Sequence, residues 1–156
     1  MSNYSDSWNL KYIELAKKFA SWSKDPSVKV GAVAVGSKGQ VLSQGYNGFP
    51  KKFDDSLDIY ENTELKKKYI IHAEMNCIYH ATLNGISLEG STLFVYGLEV
   101  CHECAKGIIQ VGIKEVVAYS PGLPKTKWLD SFKSTHKLFE QSNINYIKLS
   151  HNKYSI

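Results

Sequence analysis

Apolar side chains between about Trp8 and Trp22 fall at Tyr12, Leu15, Ala16, Phe19 and Trp22, the three- and four-residue spacing of one helical face. That spacing predicts a helix with this face in the core, capped by Ser5, Asp6 or Ser7 and ended by Ser23-Lys24-Asp25-Pro26-Ser27. Val28 to Val35 and Val41 to Gln44 are β-rich runs joined by Gly36-Ser37-Lys38-Gly39-Gln40, the pattern of a hairpin. Gly45-Tyr46-Asn47-Gly48-Phe49-Pro50 then reads as a turn or loop, its two glycines serving either close approach to a ligand or an ordinary tight turn. Lys51 to Tyr69 carries charge with little periodicity and is expected to be a surface excursion, with a short solvated helix over Glu61 to Lys68.

Ala73 to Leu83 forms a second main helix, stopped by Asn84-Gly85. Thr92 to Tyr96 is a strand, Cys101 to Val111 a helix closed by Gly112, and Glu115 to Tyr119 another strand. After a loop over Ser120 to Lys127, Phe132, Thr135, His136 and Phe139 mark a helix from about Leu129 to Gln141. Tyr146 to Leu149 is the last strand, and the tail from His151 to Ile156 is expected to fray. A helix between the fourth and fifth strands makes their connection a crossover, so these two strands should be parallel. The class is α/β, and no repeat or linker divides residues 1–156 into more than one domain.

Composition narrows the setting more than the chemistry. The 156 residues are 43% apolar, enough for one ordinary core, and a net charge of +4 suits an anionic small substrate or RNA without choosing between them. No run approaches the roughly 18 apolar residues of a membrane span, and Met1 to Asp6 lacks the regions of a signal peptide. A cytoplasmic protein is expected. Three cysteines, two of them in C-x-x-C, suggest reduced thiols and metal ligands before a disulfide framework.

Two short motifs carry the chemistry, His72-Ala73-Glu74 and Cys101-His102-Glu103-Cys104, each at a predicted helix start. Zinc takes imidazole nitrogen and thiolate sulfur in a tetrahedron, and three protein ligands leave one position for a water that ionises near neutral pH. His72, Cys101 and Cys104 supply three such ligands, and Glu74 is left to carry protons. Helix N-termini favour thiolates, which is expected to help both cysteines. H-x-E followed by C-x-x-C is the signature of zinc-dependent nucleobase deaminases. Two plainer readings compete. A closed structural zinc would recruit His102 or Cys77, although Cys77 lies five positions after His72 at an awkward helical angle. A redox C-x-x-C would leave His72 and Glu74 without a role. His102 should point away from the metal, and His80, His136 and His151 have no partner motif.

Ser23-Lys24-Asp25-Pro26, Val30-Gly31-Ala32-Val33, Gly45 to Pro50, His72 to Asn76 and Cys101 to Lys106, in this order, resemble the deoxycytidylate (dCMP) deaminases of the cytidine deaminase superfamily. The zinc motifs mark the superfamily, and G-Y-N-G-x-P points to the dCMP branch. The resemblance implies a three-layer cytidine deaminase-like fold, a mixed five-stranded sheet with helices on both faces. It also implies zinc-dependent hydrolysis of dCMP to dUMP and ammonia, supplying thymidylate synthesis. Asn47 would contact the nucleoside, Ala73 N–H the base carbonyl, and the segment with Ser23, Lys24 and Lys29 the phosphate. A homohexamer activated by dCTP and inhibited by dTTP with Mg²⁺ would follow, with Gly45, Tyr46, Asn47, Gly48 and Phe49 near the effector site. Two departures stand out. Val100 occupies the position before the first metal cysteine where proline is usual, and Lys51 to Ile71 has no cysteine or histidine for a second zinc. The competing activities are deamination of tRNA adenosine or polynucleotide cytidine, which would demand a basic and aromatic track, and a non-catalytic zinc module for interactions.

Overall fold

The computed structural model describes residues 2–122 and 126–149, together with Tyr154 and Ile156. Five strands form one sheet in the order β2-β1-β3-β4-β5: β1 Gly31–Val35, β2 Val41–Tyr46, β3 Thr92–Tyr96, β4 Glu115–Tyr119 and β5 Asn145–Leu149. β1 is antiparallel to both β2 and β3, whereas β3, β4 and β5 run parallel. The sheet is therefore mixed, with β4 and β5 parallel as the intervening helix required.

Alternation along the three central strands divides the core in two. Val33, Val35, Phe94, Val117 and Tyr119 face α1 (Asp6–Ala20), meeting its Tyr12, Ile13 and Ala16. Ala32, Ala34, Leu93, Val95, Val116 and Ala118 face the other way, onto α4 (Ala73–Leu83), α5 (His102–Gln110) and α6 (Leu129–Gln141). Strands covered on both sides read as continuous apolar runs, which is why β3 and β4 were legible to their ends. Gly31 lets α1 lie directly on β1, since a methyl there would meet the Ala16 carbonyl oxygen at 2.0 Å.

Several boundaries differ from the sequence pattern. α1 ends at Ala20, and the stripe it buries is Asn9, Tyr12, Ile13, Ala16 and Ala20. Trp22 lies past the helix end, 52% exposed, with its ring edge against Phe19 and Tyr46. Val28 to Val30 is not strand, because Val30 N–H donates to the Asn47 side-chain oxygen instead of a ladder partner. Gly45 and Tyr46 belong to β2, not to a loop. The excursion after Pro50 holds two short helices, α2 (Leu57–Glu61) and α3 (Thr63–Tyr69). It is anchored by Tyr60, buried and stacked on Phe49 at 4.3 Å. Most of the tail expected to fray, including His151, lies outside the described residues, as do residues 123–125 of the loop before α6. Tyr154 is held: its carbonyl accepts from Tyr119 Oη at 3.1 Å and its hydroxyl donates to Asp6 at 3.0 Å.

Candidate active site

β3 and β4 end together at Tyr96 and Tyr119, beside the start of β1 at Gly31 and the end of β2 at Tyr46. Ligands of open α/β sheets bind outside such carboxyl ends, and the chain brings both motifs there. An antiparallel bridge between Gly48 and Ile71 ties the segment after β2 to the residue before His72, through N–H to carbonyl bonds of 3.1 and 2.8 Å.

His72 and Cys101 are the N-caps of α4 and α5, both extended at ψ 154° and 159°, so each side chain leaves its helix at the first turn. His72 Nδ1 lies 3.3 Å from Cys101 Sγ and 3.4 Å from Cys104 Sγ, and donor atoms of the three residues all fall within 4.8 Å of one another. A tetrahedral zinc with bonds of about 2.0 Å to nitrogen and 2.3 Å to sulfur separates such a nitrogen and sulfur by about 3.5 Å. The three donors fit a zinc ion in both spacing and chemistry.

Without metal the two cysteines differ, where the helix starts alone suggested that both would ionise. The bond from the Cys104 thiol and the neighbouring His72 imidazolium bring Cys101 down to about 4. The same bond to the Cys101 sulfur, together with burial, pushes Cys104 up. Two adjacent buried sulfurs cannot both carry charge without a cation between them. His72 is raised to about 9 by its bond to the Cys101 thiolate. Glu74, in the first turn of α4 and 4% exposed, is pushed up to about 6 by burial, with His72 opposing.

A family profile described as the cytidine and deoxycytidylate deaminase zinc-binding region matches residues 6–120. The chain belongs to this deaminase family. It is 36% identical over 150 residues to the deoxycytidylate deaminase of Mus musculus, covering 92% of this chain and 80% of the mouse protein. It is 38% identical over 123 residues to a probable deoxycytidylate deaminase of Drosophila melanogaster, covering 72% of this chain but only 59% of that protein's length. Among solved structures, the dCMP deaminase of cyanophage S-TIM5 in complex with dCMP and dUMP aligns with a TM-score of 0.73 at 25% identity, covering 94% of this chain and 99% of that one.

Around His72, Cys101, Cys104 and Glu74 the other sequence-predicted residues sit as follows. Asn47 is buried and heavily engaged: its carbonyl accepts from Ser23 Oγ, its Oδ1 from Val30 N–H, and its Nδ2 donates to Val28 O, each at 2.8 Å. Ser23 is buried, Lys24 is exposed and pairs with Asp55 at 2.6 Å, and the Lys29 ammonium turns to the Ser23 carbonyl. Ala73 is the first residue of α4, where the helix itself leaves the N–H free. Gly45 serves the deaminase fold, since an added methyl would meet Cys77 N at 2.4 Å and Ala73 O at 2.5 Å, backbone of the helix that carries Glu74. Cys77 is buried, its thiol pushed up to about 12, while His102 bonds Ser131 and Glu103 away from the three donors.

Two residues of this deaminase escaped the sequence pattern. Asp25, 1% exposed, accepts from Ser27 and Val28 N–H and pairs with Lys66 of α3 at 2.6 Å. The Asx turn at Asp25-Pro26-Ser27 carries a local signal. Lys66 carries none, since within Lys66-Lys67-Lys68 nothing local separates the latched lysine from its solvated neighbours.

Proposed function

We propose that the chain is a hydrolase that deaminates dCMP to dUMP and ammonia at the His72, Cys101 and Cys104 centre. The observation that carries this is the convergence of those three donors on one point with a buried, proton-competent Glu74 in the same first turn of α4. Its resemblance to enzymes named deoxycytidylate deaminases supports dCMP as the nucleotide.

His72, Cys101 and Cys104 would hold zinc, which when bound supplies a Lewis acid that makes water acidic enough to attack near neutral pH. Glu74 takes the proton from the attacking water as the C4–O bond forms and delivers it to N3 of the base. Burial raises the Glu74 carboxyl above its ordinary value, which suits a group that must both accept and return a proton. The proton of the new C4 hydroxyl then passes through Glu74 to the amine, the C4–N bond breaks as the C4 carbonyl forms, and ammonia leaves. Ala73 N–H would meet the base carbonyl, Asn47 the nucleoside, and the turn with Ser23, Lys24 and Lys29 the phosphate. Regulation by dCTP and dTTP with Mg²⁺ through Gly45 to Phe49, a hexameric assembly and a role in thymidylate supply complete the proposal.

The test incubates zinc-loaded protein with dCMP, CMP, deoxycytidine, dAMP, a tRNA and a single-stranded oligonucleotide, measuring ammonia. Selective release from dCMP supports the reading, and release only from a polynucleotide overturns it. Glu74→Gln should keep its zinc and lose about 10² to 10⁴ in turnover. Saturation curves unchanged by either effector nucleotide would refute the regulatory part.

A further inference from the structure

The turn that presents Cys101 is gripped from outside the motif. Val100 is fully buried, and both of its backbone polar groups are paired by side chains from the last helix and strand. Thr135 Oγ1, on α6 and itself 0% exposed, donates to the Val100 carbonyl at 2.9 Å. Tyr146 Oη, on β5, accepts from Val100 N–H at 3.4 Å. One residue past the cysteine, Ser131 Oγ on α6 accepts from His102 N–H at 3.1 Å. One residue before Val100, Glu99 pairs with Lys148 of β5 at 3.2 Å.

A proline at position 100 would restrain this turn covalently and would have no N–H to satisfy. Valine gives up the restraint and brings a buried donor, and Tyr146 is the group that meets that donor. We propose that Thr135 and Tyr146, helped by Ser131, are positioning residues that set the Cys101 sulfur, replacing a proline ring with a hydrogen-bonded bracket from α6 and β5. The proposal rests on the reading of His72, Cys101 and Cys104 as a zinc site. Outer partners that orient metal ligands typically govern affinity or activity by about 10- to 100-fold.

The experiment loads each protein with zinc, then follows release of the ion to excess chromophoric chelator, alongside kcat for dCMP and the thermal midpoint. Thr135→Val, nearly isosteric, should release zinc about 10-fold faster or more with a matching fall in kcat, and Thr135→Ser should restore both. Tyr146→Phe should also quicken release, and adding Val100→Pro to it should recover the loss, because the orphaned donor is gone. Thr135→Val and Tyr146→Phe proteins that melt earlier but hold zinc and turn over like the wild type would overturn the bracket. So would failure of Val100→Pro to repair Tyr146→Phe. A wild-type protein that binds no zinc defeats the site reading and this inference with it, whereas wild type and variants that bind it and release it alike defeat only the inference.

Discussion

Gly45→Ala tests the seating of the helix that carries His72 and Glu74. The new methyl would lie 2.4 Å from Cys77 N and 2.5 Å from Ala73 O, against about 3.4 Å for ordinary contact, so α4 must withdraw from β2 by about 1 Å. Both obstructing atoms are backbone, and no side-chain rotation relieves the clash. Overpacking of this kind costs about 1 to 3 kcal/mol, and rigid obstruction argues for the upper end. In a chain of this length that lowers the melting temperature by about 6 to 12 °C. A displacement of about 1 Å at the reacting groups costs on the order of 10²-fold in rate. Urea unfolding and kcat/KM for dCMP measure the two effects, with Gly36→Ala as the control, since a methyl there meets only the flexible end of Gln40. A Gly45→Ala protein as stable and as fast as wild type would refute the reasoning. Loss of a dCTP response alone would place Gly45 in effector binding instead.

Lys66→Met should destabilise the protein by about 1 to 3 kcal/mol at pH 7 by leaving the buried Asp25 carboxylate to its remaining N–H partners. Burial would raise Asp25, but Lys66 and the Ser27 and Val28 N–H groups hold it below its ordinary value, so the stabilisation is present above about pH 4 and fades as pH falls through the lowered value. The variant should therefore show a shallower acid limb in stability measured against pH. Asn47→Ala strands Val30 N–H and Val28 O and should cost about 1 to 3 kcal/mol in urea unfolding; a change in KM alone would make Asn47 a substrate contact only.

What the sequence disclosed was what local rules determine. α4, β3 and β4 begin and end where the pattern placed them, because caps, stop residues and doubly buried strands are written within a few positions. The closeness of Cys101 and Cys104 was equally legible, since a helix start turns three-residue spacing into proximity. What was hidden depends on contact between distant segments. Gly45 looked like a loop residue because a glycine's reason for being in a strand was an approaching helix, and helical spacing alone could not tell Trp22 from a core residue one turn past Phe19. Lys66 and Thr135 gain their partners only when α3 meets the turn after α1 and α6 meets the turn before α5.

The place of α6 and β5 in the chain bears on the order of synthesis. Translation delivers the helix starts bearing His72, Cys101 and Cys104 well before Ser131, Thr135 and Tyr146, which lie beyond the 6–120 region shared with the family profile. On the bracket proposal, a nascent chain holds its thiols before it holds the α6 and β5 side chains that would align them. Chains cut short after β4 keep every ligand and lack the clamp. Such fragments would carry the family signature in full without Thr135 and Tyr146, so a ligand count in a partial sequence says nothing of how the ligands are held.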